Sequence, residues 1–101
     1  MLAIAYIPCG SKEEARRIST ALVKERLAAC ANIFESSSVY EWKGKLERKR
    51  EWVVFAKTTD AKFKKLEERA GKLHSYETPC VIKISAGANK GYLDWVEKQV
   101  K

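Results

Sequence analysis

Glu25-Arg26-Leu27-Ala28-Ala29-Cys30-Ala31-Asn32-Ile33, followed four residues later by Ser38-Val39-Tyr40-Glu41-Trp42-Lys43-Gly44-Lys45, is the stretch that decides the fold. A charged helix end passes straight into a small, apolar strand and then into an aromatic hairpin. Lys43-Gly44 is a tight-turn signal, because Gly44 takes positive φ without steric cost. Tyr40 and Trp42 share one face of the outgoing arm by alternation. Phe34 to Ser37 breaks the apolar pattern and predicts a bulge or short loop between two strand pieces, Ala28 to Ile33 and Ser38 to Trp42.

Upstream, residues 2–8 read as a strand stopped by Pro8 and Gly10. Ser11-Lys12-Glu13-Glu14 has the form of a capping box, with Ser11 bonding the Glu14 amide and Glu14 reaching back. The helix it opens runs to about Leu27, with Ala15, Ile18, Ala21 and Leu22 on one face. Downstream, Lys45 to Thr58 is a long third strand. Its segment Trp52-Val53-Val54-Phe55-Ala56 is apolar at every position, as in a strand buried on both sides. Thr59 or Asp60 caps a second helix with the stripe Phe63, Leu66, Ala70, Leu73. Cys80 to Ser85 is the fourth strand, and Asn89 caps a final helix with Tyr92, Trp95, Val96 and Val100 inward.

The order β-α-β-β-α-β with a trailing helix is the ferredoxin-like split βαβ pattern, an α+β fold, in one domain spanning residues 1–101. Right-handed crossovers are expected to set strands 1 and 3 side by side and parallel, with strands 2 and 4 at the edges. Both main helices cover one face. Bare edges and an open face predict a closed homo-oligomer, with Tyr40, Trp42 and Trp52 at the interface. The alternative is a monomer whose last helix folds under the sheet.

Bulk properties narrow the function. At 101 residues, 46% apolar and 33% charged, the balance is that of a globular domain, with no apolar run of membrane-spanning length. The opening Met1 to Ile7 lacks the basic flank of an export signal, so the cytoplasm is the expected location. Net charge is +7, but acidic residues interleave with the basic ones. The densest run, Lys43 to Arg50, reads as a solvated hairpin sooner than a nucleic-acid surface. Three cysteines with no C-x-x-C pair argue against a disulfide framework or zinc ribbon and for reduced thiols.

The expected topology gathers Cys9, Cys30, Lys57 and Cys80 along one rim, with the loop His74-Ser75-Tyr76-Glu77 leading into it. Strand spacing keeps Cys30 and Cys80, on opposite edges, about 14 Å apart, too far for one ion. Cys9 and Cys80 lie on neighbouring strands, and His74 can join them. Thiolate plus imidazole suits copper or zinc. The competing reading is packing for the cysteines and a backbone-carbonyl bond at a helix end for His74. Lys57 either receives an anion or pairs with Glu77. No phosphate loop, H-E-x-x-H or G-x-S-x-G is present, and one histidine leaves little for acid–base catalysis, so no enzyme is expected.

Several blocks together resemble the CutA divalent-cation tolerance family: Glu25 to Cys30 with Asn32; Tyr40, Trp42, Gly44 and Lys45; Glu51, Lys57 and Thr58; and Leu73, His74, Tyr76, Glu77 and Pro79. The resemblance implies a cytosolic homotrimer with a role in tolerance to divalent cations, copper most often, and no obligatory cofactor. Through similarity to the PII nitrogen-signalling proteins it also implies a small-ligand cleft between subunits, for which Cys30, Lys57, Tyr76 and Glu77 are the candidates. The metal candidates are Cys9, Cys80 and His74. Two residues depart from the family pattern: Ser75 replaces a usual proline, and Cys80 replaces a usual acid, exchanging a hard oxygen for a soft sulfur.

Overall fold

The computed structural model describes residues 1–101. In chain order the elements are β1 (Leu2–Cys9), α1 (Lys12–Lys24), β2 (Cys30–Trp42), β3 (Lys45–Thr59), α2 (Asp60–Leu73), β4 (Ile82–Ala86) and α3 (Lys90–Gln99). The sheet order is β2-β3-β1-β4, and every neighbouring pair is antiparallel.

The central pair therefore differs from the parallel arrangement expected. Leu2 pairs with Thr59 and Cys9 with Trp52. The crossover through α1 gives β1 and β2 the same sense, and the Lys43-Gly44 turn then reverses β3, which inserts between them. The expected single rim consequently splits in two. Cys30 pairs with Lys57, which lies opposite Ile4, near the start of β1. Five residues of strand, about 17 Å, separate that row from Cys9. Cys80 stays at the Cys9 end, because β4 runs against β1 with Ile82 opposite Tyr6.

Local signals explain most boundaries. Ser11 Oγ accepts from the Glu14 amide at 3.1 Å, as the capping box requires. The Glu14 side chain turns back too, but one residue further, onto the Gly10 amide. Helix α1 stops at Lys24, three residues short of Leu27. Arg26 takes φ +61, and the Leu27 and Ala28 amides both return to the Leu22 carbonyl. Such a left-handed helix exit normally carries glycine. Strand β2 is uninterrupted: Phe34 to Ser37 pair one for one with Val53, Trp52, Glu51 and Arg50. The hairpin turns through Lys43 and Gly44 at φ +52 and +79, the two positive values of a type I′ turn. Strand β4 starts at Ile82 instead of Cys80. In that register Cys80 would face Pro8, which has no amide to donate.

Thirteen buried residues fill the space between the sheet and the two main helices, among them Ala3, Ala5, Ile7, Cys9, Ile18, Leu22, Val54, Ala56 and Leu66. Trp52, expected at an interface, packs against this internal core. Helix α3 covers only one end of the opposite face, where Val96 and Val100 meet Leu2 and Ala29; Trp95, expected to point inward, is exposed. The rest of that face is bare. The register aligns Ile82, Tyr6, Phe55 and Asn32 in one row and Ile84, Ile4, Lys57 and Cys30 in the next. Phe34 tilts against Phe55, and Phe34, Ile82 and Ile84 remain 45%, 48% and 38% exposed.

Candidate metal centre

His74 is the residue after α2, and its own amide closes the helix onto the Ala70 carbonyl. Its side chain is fully enclosed. Nδ1 accepts from the Tyr76 amide at 3.1 Å, and Nε2 lies 2.7 Å from the Pro8 carbonyl oxygen. An imidazole nitrogen that accepts carries no proton, so these bonds assign the proton to Nε2 and the neutral form to the ring. The backbone-carbonyl bond expected of this histidine is thus present. It ties the end of α2 to the end of β1.

Glu14 is buried beside it. Oε1 accepts from the Gly10 amide at 3.2 Å and Oε2 from the Ser75 amide at 2.7 Å. The Arg17 guanidinium is 3.7 Å from Oε2. His74 Nδ1 stands 3.9 Å from the same oxygen, but as an unprotonated nitrogen it forms no ion pair there. Burial alone would raise the Glu14 pKa. The bonds from Ser75 and Gly10 outweigh burial and hold the carboxyl below its ordinary value. A depressed carboxyl contributes stability above its unfolded pKa and loses it as pH falls through the folded pKa. Acid titration of the protein should therefore show a component of unfolding below about pH 4 that Glu14→Gln removes, read by circular dichroism. An unchanged acid limb in the variant would exclude this source.

Cys9 ends β1 on the core side, with no exposed surface, and its thiol is 3.7 Å from the Ile7 carbonyl. Burial first, then the Glu14 and Glu51 carboxylates, push its pKa up to about 12. The thiol is protonated at neutral pH. Sulfur of Cys9, a carboxylate oxygen of Glu14 and a ring nitrogen of His74 all lie within 4.8 Å of one another. This mixed S, N, O set suits zinc or copper, whose bound thiolate would form by loss of the Cys9 proton. The donor types and their spacing fit such an ion, provided that a ring nitrogen of His74 gives up the hydrogen bond it now makes.

Cys80, expected as the third ligand, lies outside the cluster and is exposed. It sits beyond the ladder that ends at Pro8, and Glu14 takes its place. The sequence signal for Glu14 was its capping position, which aims a carboxylate back at the end of β1. Its second contact, to Ser75, is 61 residues away and has no local signature.

The four residues expected to line one cleft are divided. Cys30 Sγ is 3.2 Å from Tyr92 Oη, and burial followed by this thiol pushes the Tyr92 pKa up to about 12. Lys57 Nζ bonds the Asn32 side-chain oxygen, not Glu77. Glu77 instead meets Lys43 at the hairpin tip, at 4.0 Å. Tyr76 donates its hydroxyl to Glu51 at 2.8 Å, and burial together with that carboxylate holds the phenol well above its ordinary pKa. Tyr76 and Glu77 share with Tyr40, Trp42 and Lys49 a groove of about 370 Å³ between the hairpin and the loop after α2. Tyr40 and Trp42 therefore do share a face, and within the chain that face lines this groove.

A split βαβ sheet with a buried thiol, carboxylate and imidazole at the junction of β1, α1 and α2 defines the class of this protein. Comparison with known proteins is specific. Residues 3–99 match the family model for the CutA1 divalent ion tolerance protein. The divalent-cation tolerance protein CutA of Archaeoglobus fulgidus is 41% identical over 98 residues, 95% of each chain, and that of Thermus thermophilus is 41% identical over 97 residues, 94% of each. The solved structure of the Archaeoglobus protein, described as periplasmic, superposes over the full length of both chains with a TM-score of 0.96 at 38% identity. CutA1 from Oryza sativa superposes over 99% of this chain and 94% of its own, with a TM-score of 0.94 at 31% identity. The chain belongs to the CutA divalent-cation tolerance family.

Proposed function

We propose that this protein serves divalent-cation tolerance without catalysis, by binding zinc or a copper-like ion at Cys9, Glu14 and His74 as a homotrimer. The observation that carries the reading is the convergence of three different donor atoms within 4.8 Å, from the end of β1, the first turn of α1 and, 60 residues further along the chain, the residue that follows α2. Chance surface clusters are acidic and exposed, whereas this one is buried and includes sulfur and nitrogen. The bare apolar rows of the sheet favour assembly, since an exposed face of this kind is covered in a stable soluble protein. Free thiols at Cys9, Cys30 and Cys80 accord with a reducing compartment such as the cytoplasm.

Calorimetric titration with zinc, under a non-thiol reductant, tests the site. Cys9→Ser is expected to weaken binding by about 100-fold, as loss of a thiolate from a three-donor site requires. Cys80→Ser should leave the isotherm unchanged. Identical isotherms for the parent and Cys9→Ser would overturn the assignment.

A further inference from the structure

We propose that Tyr76 is the gate of the Cys9–Glu14–His74 cluster and carries its occupancy to the hairpin groove. The inference rests on the ion-binding role proposed above for the cluster. An imidazole nitrogen has one lone pair. On His74 Nδ1, the ring nitrogen close to the Glu14 carboxylate, that lone pair is already taken by the Tyr76 amide. An ion bound there and the Tyr76 amide exclude each other. The carboxylate oxygens of Glu14 accept one amide each and keep further lone pairs, so Glu14 imposes no such choice.

Detaching the Tyr76 amide disturbs more than one bond. The ring of Tyr76 lies on Gly10, the residue after Cys9: a Cβ at Gly10 would come within 3.2 Å of it. The ring also packs on His74, with centroids 4.6 Å apart. Its hydroxyl holds the buried Glu51 carboxylate, for which no cationic partner lies within ion-pair distance. Its outer face carries Lys49 of the hairpin at 5.4 Å. The next residue, Glu77, meets Lys43 at the hairpin tip. One short segment thus caps the cluster on one side and forms a wall of the groove with Tyr40 and Trp42 on the other. Ion entry loosens that wall, and a ligand or partner gripping the wall opposes ion entry. The two effects are reciprocal, because a coupling free energy is shared by both sites.

Amide hydrogen exchange and calorimetry on the whole chain, with zinc as the probe, test the gate. Saturating zinc is expected to speed exchange at the Tyr76 amide at least about tenfold, as loss of its hydrogen bond demands. Tyr76→Phe keeps that amide but releases Glu51, so the closed segment is less stable. Zinc should bind this variant about three- to tenfold more tightly than the parent, because less free energy is needed to open it. Gly10→Ala, which presses on the ring and leaves all three donors in place, should shift affinity the same way. Cys9-dependent zinc binding with a still-protected Tyr76 amide and unchanged affinity in both variants would overturn the gate while leaving the ion site standing. Absence of Cys9-dependent binding in the parent would overturn both.

Discussion

Glu14→Ala is expected to lower the free energy of unfolding by about 2–4 kcal/mol, measured by urea titration at neutral pH. Two amides bond a charged acceptor here, and each such bond contributes about 1.5–3 kcal/mol net. Part of that is regained, because Gly10 and Ser75 are exposed and water can reach their freed amides. The loss is also nonlocal. Glu14 joins the start of α1 to the loop after α2, and Arg17, which donates to the Leu73 carbonyl, depends on the same carboxylate for its charge partner. Glu14→Gln retains the shape and one acceptor oxygen, so it should fall between the parent and the alanine variant. A loss under about 0.5 kcal/mol in Glu14→Ala would mean that the carboxylate is no more than a surface helix cap.

Ile82→Asp is expected to convert the homotrimer proposed above into single chains at micromolar concentration, with helix and strand content unchanged. Ile82 is 48% exposed on the isolated chain, so a carboxylate there costs the fold little. At the head of the row Ile82, Tyr6, Phe55, on the edge strand β4, it would lie inside an interface that covers this face of the sheet. An unpaired charge buried in such a place costs about 3–5 kcal/mol, and a three-fold assembly carries three copies. Light scattering on the parent should give the mass of three chains, and on the variant that of one. A variant that keeps the parent's mass would remove the bare face from the interface. Ile7 makes the contrast: it lies on the helix side of the same sheet with no exposure, and truncating it would weaken the chain itself.

Features set by neighbouring residues were legible in the sequence. The Ser11 cap, the Lys43-Gly44 turn and the stripe Phe63, Leu66, Ala70 depend on spacings of four or fewer, and each is where the pattern put it. The element order followed from them. The sense of β3 was mistaken because direction is a property of the whole path, in which the α1 crossover and the hairpin reversal must be counted together. Phe34 to Ser37 looked like an interruption because serine is a poor strand former. On an edge strand beyond the helices, however, both faces tolerate small polar side chains, and one-for-one pairing continues. Arg26 carried no glycine to announce its left-handed turn. For the candidate centre, Cys9 and His74 were legible from residue type and topology. The choice between Cys80 and Glu14 was not, because it depends on where Pro8 ends the β4 ladder and on a Ser75 amide far along the chain.

The three thiols differ sharply in access: Cys9 is sealed in the core, Cys30 is half-covered and touches Tyr92, and Cys80 alone is open to water. A bulky fluorophore that alkylates sulfur would therefore select Cys80, with no mutagenesis needed to create an attachment point. Tethered four residues after Tyr76, such a dye would report in real time on movements of that segment.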